Sequence, residues 1–235
     1  MTASPMATSP GFTQGPIPIP RRRQIAQNLY RLFSIKAGMR VVICESRLEA
    51  DAVYAEEGNP ETTWLCEQPL RIDRPIGKRP HYTLDLATRK RDGDVRYFEI
   101  KPTVQLVEAR DGDAKPAHWD DIEAVCEDFG FAAGFITDDN LKAKKTLIAN
   151  WRTLLPFAVL AYRDPDDDLV RHILNLTSAG GLSIREVCLA EVERDDDTVI
   201  AHIAMLLHQG RLSGPLASER VVPGTRIKGV DRETA

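Results

Sequence analysis

The sequence has no Cys-x-x-Cys pair: Cys44, Cys66, Cys126 and Cys188 stand alone, and the five histidines are scattered. That spacing argues against a zinc site and for reduced thiols. It also lacks an apolar run of membrane length. The longest, Leu154 to Tyr162, is interrupted by Pro156 and is too short to span, so no membrane partner is expected. No charged-then-apolar leader opens the chain, so a cytoplasmic location is expected. Basic charge is scarce in the second half, where Asp164 to Ile200 carries three Lys/Arg against ten Asp/Glu. Such a stretch is a poor surface for nucleic acid.

What the chain has is an ordinary globular composition, 43% apolar and 28% charged over 235 residues, enough for one domain plus a small one. Its basic charge is concentrated between Arg71 and Lys101, nine Lys/Arg against five Asp/Glu, so a nucleic-acid surface belongs to the first half. The same segment reads as a β-hairpin: Tyr82 to Leu86 runs out, Arg91-Asp92-Gly93-Asp94 turns, and Tyr97 to Lys101 returns. Alternation puts Glu99 and Lys101 on one face, and Thr83, Asp85 and Ala87 on a face opposite to Tyr82, Leu84 and Leu86. A two-residue loop would set Asp85 against Ile100. A three-residue loop, Arg91-Asp92-Gly93 with Gly93 left-handed, sets it against Glu99, and this second arrangement is the expectation. Two facing carboxylates repel unless a cation lies between them. Their oxygens suit Mg²⁺ or Mn²⁺, and the Lys101 ammonium suits a phosphate or an attacking water. A solvated hairpin face with a chance charge cluster is the plainer alternative.

In chain order, residues 1–20 read as a flexible or extended arm ending in Pro16-Ile17-Pro18-Ile19-Pro20. Arg21-Arg22-Arg23 opens an expected helix to about Phe33, and with Arg31, Lys36 and Arg40 offers positive charge to a phosphate backbone, or simply solubility. Ser46 to Glu57 is expected to be a helix capped by Gly58, and Glu49, three residues after Ser46, completes a capping box. Two strands, Thr62 to Glu67 and Pro69 to Asp73, precede the hairpin, and Thr103 to Ala109 could be strand or helix. A helix over His118–Phe129, a short buried strand over Phe131–Thr137 and a helix from Asp138 to about Trp151 follow. Helices are expected over Asp166–Ser178, from the capping box Ser183/Glu186 to about Glu193, and over Asp195–His208. A small hairpin through Leu212 and Val221-Val222 would make the last segment a winged helix. Its third helix begins Asp195-Asp196-Asp197 and offers only His202 and Gln209 as base readers, which points to a protein contact instead.

Several of these stretches together resemble one family. Phe33-Ser34-Ile35-Lys36 with Arg40, Glu45-Ser46-Arg47-Leu48-Glu49, Cys66-Glu67-Gln68-Pro69-Leu70-Arg71-Ile72, Tyr82-Thr83-Leu84-Asp85 and Glu99-Ile100-Lys101-Pro102 occur in the order found in TnsA-type endonuclease subunits of heteromeric transposases. The resemblance runs from about Phe33 to Trp151. It implies a restriction-endonuclease-like α/β fold of the PD-(D/E)xK superfamily, with an arm over 1–20, a nuclease domain over 21–163 and a winged-helix domain over 164–235. It also implies an active site of Glu49, Asp85, Glu99 and Lys101, with Mg²⁺ held by Glu49, Asp85, Glu99 and the Ile100 carbonyl.

The activity implied is cleavage of double-stranded DNA at the 5′ ends of a mobile element, at the bacterial nucleoid. An integrase-fold TnsB-like transposase would cut the 3′ ends, and a TnsC-like AAA⁺ ATPase would regulate the pair. Arg21, Arg22, Arg23, Lys36, Arg40 and Arg47 are the expected DNA contacts. The family's proline before the strand aspartate is Leu84 here, and some members carry Gln at the position of Glu99. A stand-alone restriction or repair nuclease, and a non-catalytic bridging subunit, are the alternatives.

Overall fold

The computed structural model describes residues 12–14, 16, 29–73, 75–108 and 112–230. The chain opens with strand β1 (Phe12–Gln14), then a two-stranded hairpin of β2 (Tyr30–Ser34) and β3 (Arg40–Cys44), then helix α1 (Arg47–Glu57). The helix expected to run to Phe33 is therefore replaced by a strand from Tyr30 onward, with residues 21–28 outside the described set. Leu32 and Ser34 alternate inward with a period of two, and Gly38 and Met39 turn the chain at φ +88° and +58°. Part of the expected arm is likewise a strand, because β1 pairs with the edge of the sheet.

One compact unit holds Val41–Ala52 and Thr62–Lys142 with the N-terminal residues. Its centre is an antiparallel ladder of β4 (Thr62–Ile72), β5 (Tyr82–Lys90) and β6 (Val95–Ile100). The 3₁₀ turn Thr103–Gln105 and a small hairpin of β7 (Leu106–Glu108) and β8 (Ala114–Pro116) lead to α2 (Trp119–Asp128), and β9 (Ala132–Ile136) then joins β6 in parallel. The sheet order is β1-β4-β5-β6-β9, so the protein is mixed α/β with a mixed central sheet. β9 is half-buried, not buried, because it closes that order. Leu70, Ile72, Leu84, Tyr97, Trp119 and Ile122 form this unit's core.

The two strands expected on either side of Gln68-Pro69 are one. Between the pairs Glu67–Leu86 and Leu70–Leu84, Gln68 and Pro69 stand against Asp85 alone, which is a bulge. Proline has no N–H for a ladder and is tolerated there, while Gln68 takes φ +43°.

The second unit comprises Phe33–Arg40, Val53–Glu61 and Ala143–Ala235. After the short α3 (Asp138–Lys142) of the first unit, α4 (Lys145–Arg163) runs well past Trp151 and through Pro156. Leu154, Leu155, Ala158 and Ala161 are buried on both sides of the proline, and their packing offsets its cost of about 3 kcal/mol. Then come α5 (Asp167–Ser178), β10 (Leu182–Ser183), α6 (Ile184–Ala190), α7 (Asp196–His208), β11 (Leu212–Ser213) and β12 (Arg226–Gly229). Asp166 and Asp195 cap α5 and α7, and the Ser183/Glu186 capping box is present. The last strand is Arg226–Gly229, not Val221-Val222, and it pairs with both β10 and β11. The loop before it is clamped by buried Asn150, which donates to the carbonyls of Leu216 and Glu219 and accepts from the Val221 N–H. Gly58 ends α1 without a positive φ; it is glycine because a Cβ there would lie 2.1 Å from Trp151 Cδ1.

Candidate active site

The hairpin loop has the expected form. The Gly93 N–H donates to the Lys90 carbonyl at 3.1 Å and the Lys90 N–H to the Asp94 carbonyl at 2.8 Å, with Gly93 at φ +92°. The register Ala87–Tyr97 and Leu86–Phe98 then brings Asp85 level with Glu99. There the regular ladder stops, and the Asp85 carboxylate itself accepts the Ile100 N–H at 2.7 Å. The bulge at Gln68-Pro69 lies on the other side of the same aspartate.

Four of the sequence-derived residues converge in this unit. Lys101 Nζ bridges the carboxylates, paired with Glu99 Oε1 and lying 3.4 Å from Asp85 Oδ2, and it is 3.3 Å from the Ile100 carbonyl. Glu49 serves as a cap, as its spacing predicted: its Oε1 accepts from Ser46 Oγ at 2.8 Å and its Oε2 from the Glu45 N–H at 2.8 Å. It also faces the cluster, since its pKa is pushed up to about 7 by burial and then by the charge of Asp85. The cap residue thus also feels the charge of Asp85.

Burial and Asp85 together push Glu99 up to about 7, against the pull of Lys101 and Tyr82. Burial also raises Asp85, opposed by Lys101 and the Ile100 N–H. Lys101 would be lowered by burial, but the two carboxylates outweigh that and hold it above its ordinary value. Three carboxylates against one ammonium leave the cluster two negative charges in excess when all are ionised. Glu99 Oε2 is buried with no hydrogen-bond partner among the described residues.

No three His, Cys, Asp or Glu side chains among the described residues are placed to share one metal ion. Mg²⁺ does not require three, since it is ordinarily held by one or two carboxylates and keeps several waters. Asp85, the unpartnered Glu99 Oε2 and the Ile100 carbonyl are hard oxygen donors of that kind, so the residues fit such an ion. A thermodynamic test follows from the raised carboxylates. Between about pH 4.5 and 7 the folded state binds more protons than the unfolded one, so metal-free stability falls as pH rises through that window. Mg²⁺ binds the ionised form and should raise the melting temperature more at about pH 8 than at about pH 5.5. Equal shifts, or none, would count against a cation here.

Sequence reading missed Tyr82. Strict alternation assigned it to the opposite face, yet its hydroxyl donates to Glu99 Oε1, because the ladder between β5 and β6 has ended at that point. It also missed Arg79, whose guanidinium lies 5.5 Å from the Tyr82 ring centroid; the basic count marked the segment but not the residue.

The expected DNA contacts fare unevenly. Arg21, Arg22 and Arg23 lie outside the described residues. Lys36 is buried, and its ammonium donates to the carbonyls of Glu56, Glu57 and Asn59 at the end of α1, so it is a helix-end clamp and not a phosphate contact. Arg40 is half-buried at the start of β3. Arg47 is exposed, 3.8 Å from Asp51. His202, a possible base reader, is buried: its Nε2 accepts the Asp166 N–H and its Nδ1 bonds the Thr198 carbonyl. Compared with known proteins, the chain matches no protein-family model and no curated protein sequence.

Proposed function

We propose that this chain is a metal-dependent DNA endonuclease, acting as the 5′-end-cleaving subunit of a transposase beside an integrase-fold partner. The observation that carries the nuclease part is the meeting of Asp85, Glu99 and the Ile100 carbonyl on one half-buried bridging lysine, with one carboxylate oxygen left unpartnered. The transposase part rests on the ordered motifs from Phe33 to Lys101 and the family resemblance they carry. In this reading the sheet is the restriction-endonuclease-like core, and the three helices with the β10-β12-β11 sheet are a winged helix.

Asp85, Glu99 and the Ile100 carbonyl would hold Mg²⁺, which when bound supplies Lewis-acid charge and acidifies water. Lys101, held above its ordinary pKa, acts as a cation: it orients a water or a scissile phosphate oxygen and offsets charge there, and is unsuited to accept a proton. Glu49, which burial and the charge of Asp85 push up to about 7, would act on that ion through a water. Tyr82 fixes Glu99 through one oxygen and leaves the other turned inward. Exposed Lys78, Arg79 and Arg96 supply positive charge in the same unit.

The test is strand-specific cleavage of labelled transposon-end DNA with Mg²⁺, with and without the integrase-fold partner. Cuts at the 5′ ends that need the partner are expected. Cuts without any partner would move the reading to a stand-alone nuclease. DNA or partner binding with no cuts under either condition would make it a bridging subunit.

A further inference from the structure

The strand register puts the β4–β5 connection at the catalytic end of the sheet. Ile72 pairs with Tyr82, and the Asp92-Gly93 loop lies at the other end of β5, so the connection emerges beside Glu99 and Lys101. It is a pinned turn. Ile76 is buried, and the Ile76 and Arg79 backbones exchange hydrogen bonds of 3.0 and 3.1 Å. Gly77 takes φ +57°, and a Cβ on it would lie 2.5 Å from His118 Nε2, so the turn packs directly on that imidazole. From this fixed base Lys78 and Arg79 stand exposed. Arg79 reaches back over Tyr82, its guanidinium 5.5 Å from the ring centroid, and the Tyr82 hydroxyl donates to Glu99. One tyrosine ring therefore separates this cation from the carboxylate cluster.

Other cations of the basic segment are engaged. Arg71 pairs with Asp73 at 2.7 Å, Arg89 covers the Trp64 ring, Lys90 donates to Thr62 and Arg96 lies 3.8 Å from Asp94. The last three also sit toward the Asp92-Gly93 loop, away from the cluster. Acids on the neighbouring elements have partners as well. Asp120 lies 3.7 Å from Lys115, Asp121 lies 3.8 Å from His118, and Asp138 and Asp139 share Lys142. Lys78 and Arg79 have no acidic partner among the described residues. A cluster with two negative charges in excess repels a polyanion, and uncommitted cations fixed beside it let a phosphate backbone approach.

We propose that this turn is the phosphate grip for double-stranded DNA: Lys78 and Arg79 each take a backbone phosphate beside the scissile one. Arg79 is held for that contact by the Tyr82 ring, and its planar fork matches phosphate oxygens. The inference rests on the nuclease reading of Asp85, Glu99 and Lys101, and it concerns how the substrate is held, not how it is cut.

The experiment titrates the full chain into two labelled duplexes, one of transposon-end and one of unrelated sequence. Anisotropy is read over a series of salt concentrations without metal, so that nothing is cut. Lys78→Ala and Arg79→Ala should each flatten the plot of log affinity against log salt by about one unit. The double variant should weaken both duplexes alike, by about tenfold or more, since phosphate contacts carry no base sequence. Its melting temperature should match the wild type's, because both side chains are exposed. Arg79→Lys should keep the slope, and Arg171→Ala, which removes an exposed cation of the second unit, should change neither affinity nor slope. Unchanged binding in the double variant, weakening of one duplex alone, equal flattening by Arg171→Ala, or no binding by the wild type would overturn the proposal. The two readings fail separately. Partner-dependent cutting by a wild type whose double variant binds unchanged would end the grip and leave the nuclease. Binding that depends on the turn, with no cutting under Mg²⁺ and partner, would end the nuclease and leave the grip.

Discussion

Asp85→Asn is expected to lower Mg²⁺-dependent DNA cleavage by about 10³-fold or more, while the metal-free protein keeps its melting temperature within a few degrees at neutral pH. The two readouts separate because Asp85 does opposite things in them. For folding, its charge is a burden: it is half-buried and its pKa is raised by that burial, and it pushes up both Glu49 and Glu99. An asparagine retains an oxygen to accept the Ile100 N–H, loses the repulsion, and leaves Lys101 paired to Glu99. For metal and phosphate, the same charge is what the ion would meet. The Mg²⁺-dependent rise in melting temperature should therefore vanish with the activity. Cleavage that survives in Asp85→Asn at near wild-type rate would remove the aspartate from the mechanism. A large fall in metal-free stability would instead show that the ion pair with Lys101 outweighs the repulsion.

Glu57→Ala should destabilise the protein by about 3–5 kcal/mol, the largest stability effect expected of any charged residue in the second unit. Glu57 is fully buried and joins the Ser34–Lys36 segment to His208 of α7. Its Oε1 accepts from Ser34 Oγ and from the Lys36 N–H, and its Oε2 pairs with His208 Nε2 at 2.8 Å. His208 Nδ1 in turn meets the Tyr162 hydroxyl at 3.0 Å, and burial holds the imidazole below its ordinary pKa, in the neutral form. Removing the carboxylate leaves the Ser34 hydroxyl, the Lys36 N–H and His208 Nε2 in the interior without their acceptor. Glu57→Gln keeps an acceptor oxygen and should cost less than the alanine. Urea unfolding of both variants checks the order; equal losses would mean that a neutral acceptor recovers nothing and that the carboxylate charge carries the whole effect.

How much of this could be read from the chain depends on whether the signal is local. The Gly93 loop and the register it enforces were legible because one loop residue with positive φ fixes which strand positions meet, and Asp85 and Glu99 followed. The caps at Ser46 and Ser183 were legible for the same reason, each being a side chain bonded within three residues of itself, and the helix starts at Asp166 and Asp195 were placed at what are N-caps of the same kind. Non-local outcomes were not. Lys36 looks like a surface cation in sequence, and only the arrival of the α1 carboxyl end around its ammonium makes it interior. Proline 156 looks like a stop until the burial on both sides of it is known.

The sequence by itself determined the hairpin, its carboxylates and lysine, the helix starts, and the sign of charge in each half, because these depend on backbone preference and composition over a few residues. The tertiary structure decided that Gln68-Pro69 is a bulge facing Asp85, that Tyr82 reaches Glu99, and that the cap residue Glu49 also feels the charge of Asp85. Those outcomes depend on which distant segments meet, since burial and the charge of neighbours set the state of a side chain more strongly than its place in the chain.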